Sequence, residues 1–406
     1  MMRLRVSARL LALGWLLGAS ALSAQPAPEP LRPEVAKPLQ AAQEAIRAGQ
    51  GAQALAHVRV AEAVAQPNAQ ERYLILRLRA PAAALAGEHS QALADFEAVL
   101  ASDRLPATER PALWQALLQT AQRANDPAAV VRVVRAQQAE GAREPRLWLA
   151  LAQAQTTLKN DAGVVQALQG LVADDEAAGR PSAEAPLKLL AATQLRQGDE
   201  AAYVATLERL LRHHPQPAYW ADRLARLRAA PGFPPRLLLD SWRLARQASA
   251  LLEADDVAEL LRLAVQAGLP AEALAVLDEA LSRGLLSASS AEAARRPALQ
   301  RALAQDQAGL AGSEADARRA PDGQALLNLG QAMVSMGQTE PGLQRMAEAL
   351  ARGGLRQPDE ARLRLAVARW QAGQAEAARS EWRALAAGPA GPVADLARLW
   401  GLLAAR

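Results

Sequence analysis

Apolar residues recur at i, i+3, i+4 and i+7 along most of the chain, a spacing that lays one apolar stripe along a helix. The stretches are short, and each gives way to a turn-forming residue: Gly49, Gly87, Asn125, Asn160, Gly198, Gly268, Gly337 and Gly373. Successive separations are 38, 38, 35, 38, 70, 69 and 36 residues, the two long ones close to twice the rest. The pattern predicts a unit of helix, short turn and helix, 34 to 38 residues long, repeated nine to ten times from Glu34 to the C-terminus. One hairpin cannot bury its own stripe, so neighbouring units must stack. The expected fold is all-α, an α-solenoid of helical hairpins.

Several segments break the period. Pro81 falls inside a predicted first helix, where it should kink or split it. Pro231-Gly-Phe-Pro-Pro-Arg236 replaces a short turn with a stiff loop, and a long amphipathic helix is expected after it, from Leu237 to Leu252. This loop divides an N-terminal array, 34–230, from a C-terminal array, 237–392. Between Ser287 and Pro321 a polar, Leu-poor helix carrying Gly309 and Gly312 should lie over the surface. Leu396, Leu399, Trp400 and Leu403 share one face of a closing helix, 393–406, of the kind that caps such arrays.

Composition narrows the chemistry. Of 406 residues 51% are hydrophobic, 3% aromatic and none is Cys, which suits helices and excludes disulfides, thiolate nucleophiles and Cys-ligated metals. The net charge of +4 is concentrated at the front. Arg3, Arg5 and Arg9 precede an uncharged apolar run, Leu10 to Leu22, that ends in Ala-Leu-Ser-Ala24, the layout of a secretory signal peptide. Cleavage after Ala24 leaves 43 basic against 42 acidic residues, a neutral surface with no field for nucleic acid. An exported protein follows, placed in the periplasm, with no membrane span after cleavage. Residues 25–33, with four Pro in nine, read as a tether.

The clearest unit, Ala325 to Leu350, resembles the tetratricopeptide repeat (TPR): Leu329-Gly330 on the first helix, Gly337 at the turn, and small Gly342 and Ala349 on the second. Gly330 and Gly342 should admit the facing helix, with Leu329, Met333 and Met346 filling the space between. Trp114 matches the family's first-helix aromatic and Pro215 its closing Pro, while Val130 and Gln137 stand where Ala is usual. Members of this family commonly bind peptides in the concave groove of their first helices. Carried over by register, that groove comprises Gln115, Gln119, Gln122, Arg123, Lys188, Arg196, Arg262, Gln266, Gln324, Gln331 and Trp370. The carboxylate clamp of some TPR domains needs an Asn one turn beyond its Lys, but Lys188 is followed there by Ala192.

No catalytic, metal or cofactor motif accompanies the repeat. His57, His89, His213 and His214 offer no His-x-x-His or i, i+4 pair; Asp174-Asp175 and Asp255-Asp256 sit at helix junctions, where capping accounts for them; nucleotide-binding Gly loops and nucleophile elbows are absent. The expected function is a non-enzymatic scaffold binding protein partners in the bacterial envelope. The stretch from Arg212 through Trp220, Pro231 to Arg236 and Ala267 to Glu272 is similar to proteobacterial periplasmic TPR proteins described as components of TonB-dependent systems, which implies an accessory role in transport or energy transduction. Seven tryptophans follow the signal segment and fall on helical stretches, where core and inter-repeat packing accounts for most of them; the alternative function is a glycan or exopolysaccharide ligand stacked on one or two that line the groove.

Overall fold

The structure is a computed structural model that describes residues 30–405; the segment 1–24 expected to be a signal peptide and the first part of the expected tether lie outside them. Twenty α-helices and two 3₁₀ turns make up the regular structure of the described residues. The chain gathers into two compact units, the first ending at Ala142 and the second beginning at Arg143. The Pro-rich loop 231–236 is therefore no boundary but lies inside the second unit.

The first unit is three hairpins: α1 (Pro33–Arg47) with α2 (Gly51–Glu62), α3 (Ala69–Ala86) with α4 (His89–Leu100), and α5 (Arg110–Arg123) with α6 (Pro127–Ala139). The second continues with α7 (Pro145–Thr157) and α8 (Asp161–Ala177), α9 (Glu184–Arg196) and α10 (Glu200–His213), then α11 (Pro217–Ala229) and α12 (Leu238–Gln247), which flank the Pro-rich loop. After it come α13 (Ala254–Gln266) and α14 (Pro270–Ser282), the lone α15 (Arg296–Arg319), α16 (Gln324–Ser335) and α17 (Thr339–Arg352), α18 (Pro358–Gln371) and α19 (Ala375–Ala386), and finally α20 (Pro392–Leu403). Helices packed on their sequence neighbours, with no strand among the described residues, constitute an α-solenoid. Nine hairpins result, the α11/α12 pair being the irregular one.

The punctuation has a physical cause. Seven of the eight predicted turn residues take the left-handed conformation that ends a helix, among them Gly87 at φ +83° and Gly337 at φ +81°. At the eighth site Lys159 takes it instead, and Asn160 N-caps α8, its Oδ1 accepting the Gly163 N–H at 3.1 Å. Pro127, Pro145, Pro217, Pro270, Pro358 and Pro392 each open a helix, where the missing N–H costs nothing. The second long gap hides no hairpin: it is filled by the 24-residue α15, of which only Leu299 and Ala317 are buried.

Other expectations need correction. Pro81 lies within the continuous α3, whose start is fixed by an Asn68–Glu71 capping box. The helix after the Pro-rich loop stops at Gln247, because Ser249 turns left-handed at φ +58°. The tether ends early: Pro33 opens α1, and the Arg32 guanidinium holds Glu71 at 2.7 Å as well as the carbonyls of Ala65 and Gln66. Arg32 and the Asn68 N–H hold the buried Glu71 carboxyl down to about 2. A carboxyl depressed on folding stabilises above its ordinary value of 4.5 and loses that contribution as pH falls towards 2. Thermal scans of Glu71→Gln should therefore show a lower Tm than wild type near neutrality and a gap that closes in this acid window.

The α16/α17 crossing is as close as its glycines suggest. A Cβ at Gly342 would lie 2.8 Å from the Gly330 carbonyl oxygen and 2.9 Å from the Val334 nitrogen, while one at Gly309 or Gly312 on α15 meets nothing within 4 Å. Gly342→Ala should cost about 1–3 kcal/mol by overpacking, whereas Gly309→Ala and Gly312→Ala should each stabilise by about 0.5–1 kcal/mol. Chemical unfolding of the three variants tests this opposition of sign.

Candidate functional site

Many charges that read as a mixed surface are ties between successive repeats. Arg77 meets Glu109 at 2.6 Å, Arg209 meets Glu176 at 2.8 Å and Arg246 meets Glu279 at 2.7 Å, each across roughly one period. Two tryptophans instead tie the two helices of a single hairpin with a neutral donor: Trp114 Nε1 of α5 donates to Glu140 at the end of α6 at 2.9 Å, and Trp148 Nε1 of α7 to Asp174 of α8 at 2.7 Å. These exposed or half-exposed pairs set register more than they add stability.

The second unit also ties residues far apart in sequence. On α12 Asp240 and Arg243 stand at i, i+3, and on α18 Glu360 and Arg364 at i, i+4, so each helix presents a short charged stripe. The stripes meet. Arg236 reaches Glu360 at 2.5 Å, Arg364 reaches Asp240 at 2.8 Å, and Arg243 bridges Asp240 at 3.1 Å and Glu272 of α14 at 2.7 Å. Three guanidiniums thus alternate with three carboxylates in a chain of zero net charge. Burial raises the Glu272 carboxyl, but Arg243 beside it more than offsets this and leaves it below its ordinary value. Beyond this chain Arg398 of α20 reaches Glu208 of α10 at 3.4 Å, 190 residues away.

An apolar core backs these contacts. Leu211, Trp220, Leu224 and Leu244 share one cluster with Leu363, Trp382, Leu396 and Trp400, joining α10 to α12 with α18 to α20. Trp382 and Trp400 stack at 5.5 Å and 16°, and Trp370 lies 5.7 Å from Trp400, edge on. The second unit therefore closes upon itself.

Closure leaves a cleft of about 870 Å³ between the Pro-rich loop, α12, α13, α15, α16 and α18. Leu239, Leu263, Leu310, Leu329 and Met336 supply its apolar wall, Gln266, Asn328 and Gln331 its amides, and Arg236, Arg243 and Arg364 a neutralised charged edge. A smaller cavity of about 230 Å³ shares Arg243, Gln331 and Arg364 with it and is lined further by the charged Asp240, Arg246 and Glu272 and the apolar Val334, Met346, Val367 and Trp400. Such a place suits a ligand with apolar groups and a hydrogen-bonding backbone. Among the described residues no three His, Asp or Glu side chains gather to hold a metal, and no helix is long and apolar enough to cross a membrane.

Of the residues expected in a groove, Gln266 and Gln331 line this cleft, and Gln324 bonds Asn328, a lining residue, at 3.1 Å. Gln115, Gln119, Gln122 and Arg123 are exposed on α5 of the first unit, and Lys188 is exposed on α9. Arg196 holds Asp161 at 2.8 Å and Arg262 holds Glu259 at 2.7 Å and Gln266 at 3.0 Å, so neither guanidinium stands free. Trp370 is a correction: its ring packs into the tryptophan cluster of the core instead of walling an open groove. The residues missed, Asp240, Arg243, Glu360 and Arg364, carry a local signal in their i, i+3 and i, i+4 spacing, but a bridge across 124 residues has none.

No family model and no curated protein matches this chain. Among solved structures, one similar chain occurs in the structure of Naa15/Naa10 bound to HypK-THB, at 14% identity and a TM-score of 0.28. The match covers 89% of this chain and 65% of that one, so the present chain spans just under two thirds of its neighbour's length.

Proposed function

We propose that this chain is a non-enzymatic protein-interaction scaffold whose second unit holds a segment of a partner protein in its cleft. The observation that carries the reading is the cleft itself: about 870 Å³, walled by leucines and edged by the side-chain amides of Gln266, Asn328 and Gln331, the mixture an inserted peptide requires. A partner in the bacterial envelope, and an accessory role beside a TonB-dependent system, are supported by the arginine-led apolar run 1–24 and by the wording of 212–236 and 267–272. A glycan reading would need a tryptophan face open to solvent, whereas all seven described tryptophans are buried or half-buried.

The test places a photo-crosslinking residue at Gln266 or Gln331, with exposed Arg383 on α19 as control, in the exported protein within intact cells. Protein adducts from the two cleft positions and not from Arg383 are expected, on a chain whose N-terminus is Gln25. An absence of cleft adducts, or the same adducts from all three sites, would overturn the reading.

A further inference from the structure

Resting on that reading, we infer that the cleft takes a peptide segment in which an arginine or lysine stands beside a leucine-sized apolar side chain. The guanidiniums at the cleft are already committed: Arg243 serves Asp240 and Glu272, Arg364 serves Asp240 and Glu360, and Arg236 serves Glu360. An acidic or phosphorylated ligand would have to break this chain to be held. The uncommitted charge comes from the opposite wall and is negative. Asp306 of α15 lines the cleft and meets no hydrogen-bond or ion-pair partner among the described residues. Asp316, further along the same helix, also lines the cleft and pairs only with Arg319 of its own helix at 3.0 Å, with both groups largely solvated, an interaction a ligand cation readily replaces.

The apolar half of the motif follows from the smaller cavity. It shares Gln331 with the cleft, holds about 230 Å³, and sets Val334, Met346, Val367 and Trp400 beside Asp240, Arg243, Arg246, Glu272 and Arg364, charges already paired within the protein, so the apolar side is left to seat one branched aliphatic side chain. Gln331 lies on the wall of both spaces and can pair with the backbone of the residue that bridges them. A cation held by α15 and an aliphatic group seated over Trp400 thus belong to one segment.

The full chain would be used to select from phage-displayed random dodecapeptides, alongside an Asp306→Asn/Asp316→Asn variant and an Ala332→Trp variant that fills the cleft from α16. Circular dichroism would establish that both variants fold. Enriched peptides carrying Arg or Lys next to Leu, Ile or Met are expected, with affinity for the best of them falling about tenfold in the double Asp variant and lost in Ala332→Trp. Enrichment of acidic or uncharged peptides, or affinity unchanged by the double substitution while Ala332→Trp still abolishes binding, overturns the charge assignment alone. No enrichment, or equal capture by Ala332→Trp, overturns the cleft as a peptide site together with it.

Discussion

Trp382→Ala should be among the most damaging single substitutions in the second unit, with a loss of about 3–5 kcal/mol. The indole is 1% exposed and stacked on Trp400 at 5.5 Å, with Trp370 at 6.3 Å, so its removal empties the centre of a three-ring cluster joining α18, α19 and α20. Neighbouring leucines are fixed by their own hairpins and cannot collapse into the space. Trp382→Phe should recover most of the loss, because the Trp382 Nε1 has no hydrogen-bond partner and a phenyl ring abandons no polar contact. Denaturant titration of both variants, with near-ultraviolet circular dichroism to follow the coupled indoles, checks the ordering.

Asp240→Asn carries the second large effect. Asp240 is 5% exposed and is the one carboxylate shared by Arg243 and Arg364, so neutralising it leaves two half-buried guanidiniums with a single acid each. Breaking a buried ion pair on one side costs about 3–5 kcal/mol, and the lower figure applies because both arginines keep a solvated edge. That corresponds to a fall of roughly 10 °C in Tm for a unit of this size. A double-mutant cycle with Arg364→Gln should return a coupling above about 1 kcal/mol, the mark of groups acting as one network. Because α12 and α18 bound the cleft, the same substitution should weaken any ligand held there.

Much of this architecture is legible in the sequence for local reasons. A helix of one turn's period must stop where Gly49, Gly87 or Gly337 takes a left-handed backbone, and the same residues that stop it mark the repeat. The close approach of α16 and α17 is likewise written in Gly330 and Gly342, and the polar surface helix in the Leu-poor run that became α15. Non-local features leave no such trace. Glu360 and Arg364 look like any solvated i, i+4 pair until the chain returns Asp240 to them, and Trp370 sits where a first-helix residue can face either the open side or the next repeat. Periodicity cannot choose between those faces. For the same reason the candidate groove is only partly legible: Gln266 and Gln331 follow from register, but the cleft they line exists because the second unit closes, which the register of any single hairpin does not encode.

Closure is also the feature most directly measured. The chain has no Cys, so labels can be placed without a background. Spin labels at Glu208 of α10 and Arg398 of α20, 190 residues apart and in contact here, should give a single short and narrow distance by pulsed electron resonance, and Asp240→Asn should broaden it. A long or broad distribution in the wild-type chain would mean an open solenoid, with neither the closed core nor the cleft described above.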